Sequence, residues 1–172
     1  DSDTQCPTQK AVKEYVDATA QGLHVLVPVH VATTKTLATI TNPSTITYIP
    51  GTELNAGVGA TLTTDGNFDT IDGVTFSDLE RILVKDEVDK KTNGVYTRTS
   101  STKLTRADDF NDNTKIRLGD FVFVQSGNVN QNHGFVMTGD IEHWTTDGGF
   151  GTIDTHDIVF TQFSGVRDDS VN

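Results

Sequence analysis

Five histidines, His24, His30, His133, His143 and His156, are the side chains best suited to a transition metal or to proton transfer. Their spacing offers neither a His-x-His nor a His-x-x-x-His pair, so no zinc centre is expected. Oxygen ligands are more plentiful. Asp65, Asn67 and Asp69 alternate like the opening of a calcium loop, but Thr70 stands where the turn glycine belongs and Phe76 where the bidentate Glu belongs, so the stretch is not an EF-hand. The run ADDFNDN, with Asp108, Asp109, Asn111, Asp112 and Asn113, can gather a cation from side-chain oxygens, although Asp and Asn are also what turns prefer. Acyl transfer has no Gly-x-Ser-x-Gly elbow, and the many carboxylates on polar turns single out no pair for glycoside hydrolysis. GVGAT, starting at Gly57, lacks the Lys-Ser/Thr ending of a phosphate loop. These residues predict no catalytic group, no metal site and no cofactor.

Binding chemistry has better candidates. Trp144, Tyr96, Phe135 and Tyr48 are rings of the kind that stack on sugars, but the first three fall at strand positions and are expected in the core. Arg106, in LTRADDF, is expected to form an ion pair with Asp108 or Asp109, or to fix a turn by hydrogen bonds, rather than to capture a ligand. The polar loop 125–133 differs in kind. Its Asn128, Asn130, Gln131 and Asn132 carry neutral amide donors and acceptors of the type that read hydroxyl-rich ligands, and they are the candidate surface-recognition residues; a solvated turn is the plain alternative.

The elements that must position these residues are strands. The chain has 172 residues, enough for one domain with a real core, and its Thr, Val, Ile and Phe with 15 Gly and a single Met favour strands and turns over helices. A formal charge of -11, without a basic stripe, repels phosphate backbones and speaks against nucleic acid as a partner. The lone Cys6 allows no internal disulfide, and no apolar run reaches the roughly 18 residues of a membrane span. No membrane insertion is expected.

Residues 1–22 read as a polar leader with a short helix from Thr8 to Ala20, capped by Thr8 and stopped by Gly22, whose narrow apolar stripe suits docking on its own domain or on neighbouring copies. Residues 23–165 read as a β-rich module and residues 166–172 as a flexible tail. HVLVPVHVAT, interrupted by Pro28, is expected as an edge or bulged strand, with another over residues 45–49. GTELNAGVGATLTTDGN, from Gly51, is expected as an exposed, mobile loop that ends in strand-like TLT and a turn at Asp65 and Gly66.

Sliding residues 79–110 onto residues 119–150, an offset of 40, aligns Ile82-Leu83-Val84 with Val122-Phe123-Val124 and Asn93-Gly94-Val95-Tyr96 with His133-Gly134-Phe135-Val136. Leu104 then meets Trp144, Thr105 meets Thr145 and Phe110 meets Phe150. A duplicated hairpin-plus-strand unit follows, with two unrelated hairpins as the alternative. Its loops keep their length while changing from KDEVDKKTN to QSGNVNQNH, and Gly94 and Gly134 each restart a strand, where glycine accommodates a bulge or a positive φ. The predicted fold is mainly β: an antiparallel small barrel or sandwich, with this internal duplication and one N-terminal helix.

The ordered series GVGATLT, TIDGVTF, RILVKDEVDKKTNGVYT, LTRADDFNDNTKIRLGDFVFVQSG, GFVMT and IVFTQFSG resembles a module of tail-fibre and related receptor-binding appendage proteins of tailed bacteriophages, over about residues 28–165. PTQKAVKEYVDA is similar to the helical joint that precedes such modules. Leu104 replaces the usual aromatic before Thr-Arg, and Phe135 replaces a frequent Trp. The resemblance implies a non-enzymatic, extracellular virion part, homotrimeric through flanking segments and touching neighbouring fibre segments, that displays or spaces host-recognition surfaces. Two other functions are compatible with the residues: a carbohydrate-binding domain that grips a host surface glycan, and a non-catalytic part of a capsule-degrading tail spike.

Overall fold

The computed structural model describes residues 24–41, 44–52, 57–139 and 153–164. The expected leader helix and the 166–172 tail lie outside these residues. What is described is mainly β. Its strands are β1 (Val31–Ala32), β2 (Ile46–Ile49), β3 (Thr61–Thr64), β4 (Thr70–Ile71), β5 (Val74–Thr75), β6 (Arg81–Val84), β7 (Gly94–Ser100), β8 (Lys103–Arg106), β9 (Phe121–Phe123), β10 (Gly134–Met137) and β11 (Phe160–Ser164). A single helical turn, α1 (Leu37–Ile40), and a 3-10 turn (Lys90–Thr92) accompany them.

Six strands form one sheet in the order β1-β6-β7-β8-β3-β2, three form a second in the order β11-β10-β9, and β4 with β5 makes a ribbon. The sheets are not closed into a barrel, so that half of the fold expectation gives way to layers. Strand alternation explains the layering. On β6, Ile82 and Val84 point into a core with Leu37, Leu62, Phe68, Ile71, Phe76, Tyr96 and Leu104. Leu83 points the other way, into a core shared with Val95, Val122, Val124, Phe135 and Met137, which lies between the six-stranded and three-stranded sheets. Both sets are almost completely removed from water, which stabilises the fold by roughly 1.5–3 kcal/mol for each large aliphatic side chain.

Both expected hairpins form. β6 pairs antiparallel with β7, Leu83 opposite Val95 and Val84 opposite Gly94, and β9 pairs antiparallel with β10, Val122 opposite Phe135 and Phe123 opposite Gly134. The second pairing is offset by one residue from strict repetition of the first. Gly94 takes φ +145, and Gly134 marks a register shift against β11, so the two glycines perform the two tasks expected of them. The third strands differ in origin: β8 lies beside β7, whereas the strand beside β10 is β11, from residues 160–164. Trp144, Thr145 and Phe150 lie outside the described residues.

Residues 24–33 tie the two hairpins together. Their first half runs parallel to β9, with bridges Val25 to Phe121 and Val29 to Val124. Their second half, β1, runs parallel to β6. Exposed Pro28 lies between the two pairings, where its missing N–H removes no ladder bond. The expected edge strand is thus an edge for one sheet and a link to the other. Of the loop expected ahead of β3, residues 53–56 lie outside the described residues; Thr52 and Gly59 are exposed as expected, but Gly57 and Ala60 are buried, and a Cβ on Gly57 would run into the Ile153 side chain.

Candidate functional site

The hairpin loops, residues 85–93 and 125–133, leave the scaffold at the same end, because both leading strands run parallel to the 24–33 segment and both loops meet it at Thr33. Thr33 Oγ1 donates to Asp86 Oδ2 (2.7 Å) and accepts from the Lys85 amide (3.0 Å). Asn130 Nδ2 donates to the carbonyls of Thr33 (3.2 Å) and Ala32 (3.3 Å). The Lys85 ammonium lies 5.3 Å from the centre of the Phe135 ring, a further link between the units.

A buried cation holds the first loop from beneath. Arg106, 2% exposed, donates Nη1 to the carbonyl of Asn93 and Nη2 to that of Lys91, both at 2.9 Å. Its guanidinium carbon lies 5.0 Å from the Tyr96 ring centre and 5.6 Å from that of Tyr48. Asn93 continues the brace, receiving the Glu87 amide on Oδ1 (3.0 Å) and donating Nδ2 to the Ile158 carbonyl (2.9 Å). Gly94 is required here, since a Cβ would meet the Arg106 guanidinium and come within 2.9 Å of the Phe110 ring. Tyr48 donates its hydroxyl to Asp154 (2.5 Å); burial first, then that carboxylate, push its phenol up to about 12 against the pull of Arg106. Burial also raises the Tyr96 phenol. Glu87 accepts the Leu37 amide at 2.6 Å and so closes the start of α1; burial raises its carboxyl above the ordinary value, although that amide opposes the shift.

A buried anion holds the second loop. Asp72, 8% exposed and at φ +49, occupies the turn between β4 and β5. Its carboxylate accepts the amides of Val129 (3.0 and 3.2 Å) and Asn130 (2.8 Å), and its carbonyl accepts that of Asn128 (2.9 Å). Gly127, at φ +138, lies so close that a Cβ would strike this carboxylate. The first loop is therefore gripped by its carbonyls and the second by its amides, each by a charge of the matching sign.

The four expected recognition residues separate. Asn128, Gln131 and Asn132 are exposed, with Asn132 in the left-handed region at φ +62. Asn130 is 4% exposed and spends its side chain on the 24–33 segment, so its assignment to a recognition surface is corrected: it is a strut. Of the rings, Tyr96 and Phe135 are core, Tyr48 is half-buried and Trp144 lies outside the described residues. Arg106 fixes a turn, as expected, but the partner of Asp109 is Arg81 (2.8 Å).

The side chains of the ADDFNDN run are taken up by neighbouring protein groups. Asp112 accepts from the amide and hydroxyl of Thr114, which hold its carboxyl below the ordinary value. Lys115 Nζ donates to the Asp108 carbonyl (2.7 Å) and Asn111 Oδ1 (3.0 Å), placing an ammonium where a cation would bind. Among the described residues no three His, Cys, Asp or Glu side chains are grouped to hold a metal.

Sequence reasoning missed Asp72, although Asp-Gly between two strand-like pieces is the signature of a tight hairpin turn. It also missed Val88 and Val129, single aliphatic residues inside otherwise polar loops, which are 89% and 61% exposed. No family model, no curated protein and no solved structure matches the chain.

Proposed function

We propose that this chain is a non-enzymatic structural and adhesive module of a bacteriophage tail fibre or similar virion appendage, extracellular and engaged in host attachment. The ordered motif series supports this reading from the sequence side. The observation that carries it is the pair of loops of nearly equal length and different chemistry, presented at one end of a shared scaffold and each braced by a buried charge. Such loops are positioned to contact a partner.

The reading includes self-association into a homotrimer and contact with neighbouring fibre segments. It is tested with the purified chain, by light scattering and by fluorescence-detected binding to a panel of whole bacterial strains. A trimer that adheres to particular strains is the expected result. A monomer that adheres to none rejects the proposal, and sugar release from capsule by the isolated chain rejects its non-enzymatic part.

A further inference from the structure

Asn93-Gly94, at the end of the first hairpin loop, is the one Asn-Gly pair in the sequence. With no side chain on the glycine to shield it, the Gly94 nitrogen is the backbone amide best placed in sequence to attack a preceding side-chain amide. The reaction is internal. Base removes the Gly94 amide proton, the nitrogen attacks Asn93 Cγ, the N–Cγ bond forms, the Cγ–Nδ2 bond breaks and ammonia leaves. Water then opens the five-membered succinimide at either carbonyl, which yields aspartate or isoaspartate at position 93. No oxidant, metal or partner is needed.

The fold opposes the first step. Asn93 is 1% exposed, and its side chain is anchored at both ends, with Oδ1 receiving the Glu87 amide (3.0 Å) and Nδ2 donating to the Ile158 carbonyl (2.9 Å). Arg106 Nη1 holds its carbonyl (2.9 Å), and Gly94 is fixed opposite Val84 in the β6–β7 ladder. Turning Cγ onto the Gly94 nitrogen breaks these side-chain bonds in a site closed to water. An unfolded chain makes the same turn freely.

The product does not fit where the reactant fitted. A carboxylate has no proton for the Ile158 carbonyl and sets a charge in an enclosed site. Isoaspartate adds a carbon to the backbone directly ahead of Gly94, where φ is +145 and a Cβ would already lie 2.9 Å from the Phe110 ring. That extra carbon shifts the carbonyl that Arg106 holds and the register of β7 against β6.

We infer that Asn93 is a deamidation site that native packing protects and unfolding exposes, so that time spent unfolded converts the 85–93 loop irreversibly. Unfolding is then made irreversible by a chemical step. The inference is independent of the attachment reading. The full chain is incubated at mildly alkaline pH, once in native buffer and once in concentrated guanidinium chloride. Peptide mass spectrometry locates and times the exchange of amide for acid, and samples from the denaturant are refolded and melted.

Expected is deamidation at Asn93 at least tenfold faster in denaturant than in the native chain, and faster than at any other asparagine of the denatured chain. The fraction that recovers the wild-type melting temperature should fall in step with the modified fraction. N93D, made directly, should melt lower or fail to fold. Equal rates at Asn93 in the two conditions overturn the inference, as does modified chain that refolds with wild-type stability; both readouts use the wild-type chain and do not depend on the variant.

Discussion

Asp72 and Arg106 are almost wholly enclosed, and each holds backbone groups of one of the two hairpin loops. Replacing Asp72 by Asn keeps its shape and suits φ +49, but it removes the charge that strengthens the bonds to the Val129 and Asn130 amides and sets an NH2 donor in place of one of the two oxygens that the Val129 amide approaches. D72N is expected to destabilise the fold by about 1–3 kcal/mol in urea titrations, with faster hydrogen exchange at the Val129 and Asn130 amides than elsewhere. Tyr48 gives a spectroscopic counterpart. With its phenol pushed up to about 12, the difference in absorbance at 295 nm between wild type and Y48F should stay flat through pH 10 and rise only near pH 12. Because the unfolded chain releases that proton near the ordinary value of 10, Tyr48 makes stability fall as pH rises across that window. Glu87 has the same sign at acid pH: its raised carboxyl means that the folded state binds the proton first, so stability from this group grows as pH falls toward 4.5. The advantage of E87Q over wild type, read from urea midpoints, should be largest at pH 7 and shrink at pH 4. The types of these residues were legible in the sequence; their enclosure was not, because it depends on which loop folds over them.

The elements follow local pattern closely. Strand alternation in RILV, the Gly restarts and the Pro interruption all lead to the observed hairpins and edge. Gly94 tests this level. With φ +145 and the Phe110 ring 2.9 Å from where a Cβ would lie, G94A combines backbone strain of order 1–3 kcal/mol with overpacking of about 1–3 kcal/mol. It should lower the melting temperature sharply and release the 85–93 loop, visible as faster exchange at Lys91 and Asn93. Local pattern misled at Gly57 and Ala60, which are buried although the stretch was expected on the surface, while Gly59 between them is exposed. Ile153, almost a hundred positions later, covers Gly57, and no local rule anticipates a lid so distant in the chain.

At the scale of the molecule, the 24–33 segment makes the two hairpins one cooperative body, since Leu26 and Val29 enter one core and Val31 the other. Leu26, 3% exposed, is expected to cost about 2–5 kcal/mol when truncated to Ala. Calorimetry should show its single transition moving down intact; splitting into two transitions would mean that the hairpins melt independently. Composition and period sufficed for the β class and the paired hairpins, since these depend on residues close along the chain. Tertiary structure alone decided that the sheets stay open, that Asn130 is a strut, and that a cation and an anion brace the two tips. Burial and charge pairing are properties of residues far apart in the chain, and only packing brings them into contact.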